Sequence, residues 1–211
     1  RVLLRQSLRL ASAGWTTVNV DLFGCGDSDG DTTDARFSRW QADLLRAAAF
    51  SRLQAPGAFV ILGVRLGCLL AAELASALDG LVSGLVFWQP PASGAAALEQ
   101  WMRLERIGGV GRAATGGSAT APAPRDITLK MEVATRSIDG AHDEPDLRRG
   151  SDCMSLGGYL YHRELIDALG GLAMRPPLAD ARGTACPVLM VGVQRVPSAR
   201  TPAAKALAEL T

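Results

Sequence analysis

The stretch Phe59 to Leu78, FVILGVRLGCLLAAELASAL, constrains this chain more than any other part of it. Phe59-Val60-Ile61-Leu62 is apolar without alternation, the pattern of a short strand covered on both faces. Gly63-Val64-Arg65-Leu66-Gly67 is a turn framed by two glycines. Cys68 to Leu78 is rich in Ala and Leu and broken only by Glu73 and Ser76, so it reads as a largely buried helix. A buried strand that turns at once into a buried helix requires a layered sheet. The flanking segments repeat the theme. Trp15 to Val20 alternates and is β-prone, Asp34 is a candidate helix N-cap, and apolar positions recur at helical spacing from Phe37 through Trp40 and Leu44 to Leu53. Pro56-Gly57 ends that helix, Asp79-Gly80 makes a turn, and Leu81 to Trp88 reads as the next strand. Two strand–helix–strand units in succession predict an α/β fold, a mostly parallel sheet with helices on both faces.

The remaining segments are placed around this core. Arg1 to Ala13 is a partly amphipathic helix with Gly14 as its C-cap. Ala95 to Ile107 is helical, Gly108 to Pro124 is a small-residue segment expected to be mobile, and Leu160 to Leu169 is the best helix in the weakly periodic stretch 126–171. Gly109-Val110-Gly111-Arg112-Ala113-Ala114 imitates a dinucleotide-binding turn but follows a helix rather than a strand, so it is rejected and no cofactor is expected. Cys186 to Val193 is a further buried strand, and a helical pattern starts at Ala203. The expected organisation is a core part over 1–90, a cap or lid insertion over 91–184, and a return to the core over 185–211. The first residue is Arg1 inside one helical pattern and Thr211 ends inside another, so a piece of a larger fold is expected.

Composition removes several function classes. With 22 basic and 21 acidic residues the net charge is +1, which gives nucleic acid no basic face. Every apolar run is interrupted by Asp, Arg or Gly before it reaches membrane-spanning length. Cys25, Cys68, Cys153 and Cys186 form no C-x-x-C pair, and His142 and His162 are the only histidines, so no metal site is expected. Reduced thiols in a cytoplasmic protein are the simplest expectation.

The loop after Val20, Asp21-Leu22-Phe23-Gly24-Cys25-Gly26-Asp27-Ser28-Asp29-Gly30-Asp31, lacks the spacing and closing Glu of a calcium-binding EF-hand. A plain acidic turn is one reading of it; its D-x-x-G-x-G-x-S pattern directly after a strand better fits the loop that precedes the nucleophile-bearing strand in α/β-hydrolases. The Gly63–Gly67 turn likewise has the frame of their nucleophile elbow, G-x-S-x-G, with Arg65 in the serine position. The ordered set DLFGCGDSDGD (21–31), Trp40 with Asp43, ILGVRLGCLLAAELA (61–75), LVFWQPPASG (85–94) and LGGYLYHRELIDAL (156–169) resembles the exosortase A system-associated α/β-hydrolases of type 2. The similarity covers most of 1–107 and parts of 155–193 and is weakest over 108–124. It implies an α/β-hydrolase fold without its first and last strands, with half of the oxyanion hole before Arg1 and the catalytic histidine after Thr211. It also implies an ester or acyl hydrolase associated with exopolysaccharide and protein-sorting machinery, whose partners are an acyl substrate or a protein of that machinery.

The residues themselves do not supply the chemistry. A triad needs a nucleophile, a histidine and an orienting carboxylate. Arg65 is a permanent cation with donors only. Gln194-Arg195-Val196-Pro197, where the acid is expected, contains no carboxylate, and His142 and His162 lie in the predicted cap with structural roles expected. Cys68 is expected inside the helix packing; Cys25 and Ser28 are the remaining candidate nucleophiles, with no base beside them in sequence. Two readings of Arg65 stay open: a bridge to Asp21, Asp27 or Asp29 that closes the site, or an anion-binding pocket. The pocket would be made by Gly63, Arg65, the amides around Leu66 and Gly67, and the loop with Gly24, Gly26 and Asp27.

Overall fold

The computed structural model describes residues 2–114, 152–175, 183 and 185–192. The chain is of the α/β class. Its elements in order are α1 (Val2–Ser12), α2 (Phe37–Gln54), β1 (Val60–Val64), α3 (Gly67–Ala77), β2 (Gly84–Trp88), α4 (Gly94–Ala114), β3 (Cys153–Leu156), β4 (Tyr159–His162), α5 (Arg163–Gly170) and β5 (Val188–Val191).

The main sheet has the order β1-β2-β5, and both pairings are parallel. β2 is central, and that position explains why Leu85 and Phe87 are fully buried. Against this sheet lies α3, whose Cys68, Leu69, Leu70, Ala71, Ala72, Leu74 and Ala75 are buried while Glu73 and Ser76 face water. A helix apolar on nearly all sides is stable only when enclosed, and the enclosing side chains come from distant segments: Ala35 and Trp40, Ala97, Leu165 and Leu169, Leu172 and Met174. Segment 172–174 is laced to the start of α4, with Gly94 N–H donating to Leu172 O (2.8 Å) and Met174 N–H to Ala92 O (3.2 Å). The part expected as a cap therefore contributes side chains to the same core as α3.

Several sequence expectations need correction. Trp15 to Val20 is not a strand: no described strand pairs with it, and β-prone residues form a strand only where a neighbour accepts their ladder bonds. α2 begins at Phe37 after Arg36, without a side-chain cap, so Asp34 is not its N-cap. α4 continues past Ile107 to Ala114, so residues 108–114 are helical; 115–124 lie outside the described residues. The dinucleotide-like string at 109–114 is thus helix throughout. The helix expected from Leu160 starts at Arg163, and the residues before it belong to an antiparallel hairpin, β3–β4, turned by Gly157-Gly158. Both glycines have left-handed φ, 65° and 88°, as a two-residue hairpin turn of the primed type requires. The strand expected over 186–193 narrows to Val188–Val191, and the helix expected from Ala203 lies outside the described residues. Gly14 behaves as expected. Its N–H donates to Ala11 O and that of Trp15 to Leu10 O, both at 3.0 Å, closing α1 in a Schellman arrangement.

Candidate functional site

Arg65 stands where β1 ends and α3 has not yet begun. Its φ is 54°, the left-handed region, which costs a residue with a Cβ about 1–2 kcal/mol. The turn is held by backbone bonds on both sides: Arg65 N–H donates to Trp88 O (2.9 Å), and Arg65 O accepts from Cys68 N–H (3.0 Å). Gly63 makes the turn sterically possible. A Cβ there would lie 2.6 Å from both Cys68 Cα and Gly67 O. Leu66 is buried and its carbonyl accepts from Leu69 and Leu70. None of these bonds uses the N–H of Leu66 or Gly67, two of the donors that a helix start leaves without intrahelical partners.

Gln89 repeats the conformation one strand over. Val64 pairs with Trp88 in register, so Arg65 and Gln89 leave adjacent parallel strands at the same level, and Gln89 has φ 51°. They are the only non-glycine residues with positive φ among the described residues. Both line one cavity of about 80 Å³. The rest of its lining comes from the elbow through Leu66, from Pro90 and Pro91 after β2, and from α4 through Ala97, Gln100 and Trp101. The C-terminal ends of parallel strands are where open α/β sheets put their ligands.

The loop 21–31 is built separately. Trp40 and Asp43, one turn apart on α2, grip the Phe23 backbone from both sides. Trp40 Nε1 donates to Phe23 O (3.0 Å), and Phe23 N–H donates to Asp43 Oδ2 (3.3 Å). The Arg39 guanidinium stacks 3.5 Å above the Phe23 ring centre. Within the loop, Gly24 N–H donates to Asp29 O (2.9 Å), Asp27 N–H donates to Asp21 Oδ2 (3.2 Å), and Gly26 packs against the Asp21 carboxylate. Thr32 Oγ1 donates to Leu160 O (2.6 Å), which fastens the loop to the β3–β4 hairpin.

The structure thus brings Arg65 and Leu66 together with Gln89, Gln100 and Trp101, and it adds none of Gly24, Gly26, Asp27 or Gly67 to the cavity lining. Asp21 engages the backbone of its own loop, and among the described residues Arg65 forms no ion pair with Asp21, Asp27, Asp29 or any other carboxylate. Gln89 and Gln100 were not singled out by sequence reasoning. The available signal was Gln89 closing a strand immediately before Pro90-Pro91, at the end of the sheet where ligands collect.

The substitute nucleophiles are quiet. Burial pushes the Cys68 thiol up to about 12, and Cys68 Sγ lies 3.7 Å from Trp88 O. Burial, assisted by the negative charge of Asp21, also raises Cys25, so its reactive thiolate is disfavoured. Ser28 Oγ donates to Asp21 O, and among the described residues no histidine bonds to it. His162 caps α5, its Nδ1 accepting from Glu164 N–H (3.2 Å); His142 lies outside the described residues. Among the described residues no His, Cys, Asp and Glu cluster could hold a metal ion, and no helix is long and apolar enough to cross a membrane. Compared with protein-family models, with curated proteins and with solved structures, the chain matches none.

Proposed function

We propose that this chain is an α/β-hydrolase scaffold of the exosortase A-associated type whose elbow binds a small anion and does no triad chemistry. One observation carries the reading: Arg65 opens onto a cavity without a carboxylate partner among the described residues. A guanidinium beside a helix N-terminus adds positive charge to an already positive end. That arrangement is relieved by an anion; the Asp21 carboxylate is engaged with its own loop, and neither Asp27 nor Asp29 forms an ion pair with Arg65. Guanidinium, helix amides and a cavity at the sheet's C-terminal edge together suit a carboxylate, a phosphate or an acidic sugar.

Calorimetry of the full chain with acetate, inorganic phosphate and glucuronate, on wild type and Arg65→Ala, tests the idea. A charge-assisted hydrogen bond contributes about 1.5–3 kcal/mol, so the variant should bind at least about tenfold more weakly. Absence of measurable binding by wild type to all three would sink the reading.

A second reading, an ester or acyl hydrolase completed by groups outside the described residues, is favoured by one feature. The left-handed φ of Arg65 is the strained posture in which such elbows present their nucleophile. Turnover of short-chain aryl esters by wild type, abolished by replacing Cys25 or Ser28, would establish it.

A further inference from the structure

We propose, building on the anion reading above, that the cavity takes a carboxylate joined through one carbon to an amide N–H, as in an N-acylated amino acid or at the C-terminus of a peptide. Charge is the first argument. The residues that line the cavity include one cation, Arg65, and no acid, so a single negative charge is matched and a dianion is not. Size is the second. A cavity of about 80 Å³ in a measure where one water needs about 10–15 Å³ admits a group of a few heavy atoms, far less than the ~300 Å³ of an ordinary small-molecule site. The rest of the ligand must lie outside. A planar carboxylate suits a guanidinium fork better than a compact tetrahedral anion does.

The glutamines supply the third argument. A carboxylate uses donors only, and Arg65 already offers several. Gln89 and Gln100, both exposed, each bring a carbonyl oxygen as well as an NH2 group, and those oxygens can exchange water for a ligand donor that a bare carboxylate does not have. An amide N–H next to the carboxylate provides it, while Trp101 with Pro90 and Pro91 gives an apolar wall for the carbon between them. Fourth, Gln89 is held at φ 51° beside Arg65 at φ 54°, and backbone strain of this kind gathers at ligand clamps. Both strained side chains line the same small space.

The test is calorimetry of the full chain with acetate, N-acetylglycine, N-acetylglycinamide and inorganic phosphate. N-acetylglycine should bind about fivefold or more tighter than acetate, the worth of one further hydrogen bond. N-acetylglycinamide, without the charge, should not bind. Gln100→Leu, an exposed helix position, should erase the preference for N-acetylglycine over acetate, with circular dichroism confirming the fold. Equal binding of acetate and N-acetylglycine, or tighter binding of phosphate than of either, overturns this proposal while leaving the anion reading standing. No binding of any anion overturns both. A tetrapeptide with a free C-terminal glycine separates the two sources of this chemistry: tighter binding than N-acetylglycine assigns the site to a protein C-terminus, equal binding to the free acylated amino acid.

Discussion

Two helices of equal length divide this molecule. α1 carries four leucines and buries none of its eleven residues; α3 carries three and buries seven. The segments that follow them differ in the same direction. After α3 comes β2, with Leu85 and Phe87 enclosed between neighbouring strands and helices. After α1 comes Trp15–Val20, where Trp15, Val18 and Val20 are all exposed and no ladder forms. Apolar content therefore does not decide which segment becomes core. α3 has partners that complete its surface, and among the described residues α1 has none.

That contrast can be broken or sharpened by substitution. The largest effect is expected at Gly63→Val, whose side chain would collide with the backbone of Gly67 and Cys68. Loss of more than about 3 kcal/mol in urea unfolding is expected, and a stable variant would mean the elbow is not rigid. At Phe87→Ala, fully buried in β2, the lost transfer energy and the cavity left behind should cost about 3–5 kcal/mol.

Cys68 adds a pH effect. Its thiol is raised from 9.0 to about 12 by burial, so the folded state holds the proton more tightly than the unfolded one. That contribution is complete below the unfolded pKa and is lost as pH rises toward the folded value. Unfolding of wild type should therefore become easier between about pH 9 and 12 by more than that of Cys68→Ala, and parallel curves would contradict the burial. Arg65→Gly should do the reverse of a core mutation. Relief of left-handed strain, partly offset by a freer unfolded chain, should leave stability unchanged or raise it by about 1 kcal/mol while anion binding disappears. The smallest change is expected at Leu8→Ala in α1, 62% exposed, which should stay within about 0.5 kcal/mol. A loss of 2 kcal/mol or more, roughly that of a buried leucine, would show that α1 is covered in solution.

How far the sequence could be read follows the same division. The order of strand, turn, helix and strand from Phe59 to Trp88 was legible because these pieces agree with one another locally. The expected cover on both faces was not found, since Val60 and Leu62 are exposed on one face of β1, and the second strand starts at Gly84 rather than Leu81. Trp15–Val20 was misread because alternation and β-branching report what a strand would look like, not whether a partner is present. The β3–β4 hairpin was missed although Gly157-Gly158 between apolar and aromatic residues is a hairpin signal; the strong helical pattern just after it drew the boundary too early. At the site, Arg65 was visible from its place between two glycines. Its lack of an acidic partner among the described residues and its place beside Gln89 depend on sheet register and loop closure, which spacing in one dimension does not carry.

The hydrogen bond from Arg65 N–H to Trp88 O has a kinetic meaning. It pins the backbone of this residue to the middle strand, where amide exchange with solvent waits on opening of the sheet, while the exposed side chain turns over on the scale of picoseconds to nanoseconds. One residue thus keeps two clocks. On the anion-binding proposal, a ligand arriving at Arg65 meets a backbone already fixed; it has to quiet the guanidinium arm, at an entropic cost of about 2 kcal/mol, and the glutamine side chains beside it. Association should then approach the rate of encounter, and differences in affinity between ligands should appear almost wholly in how long each one stays.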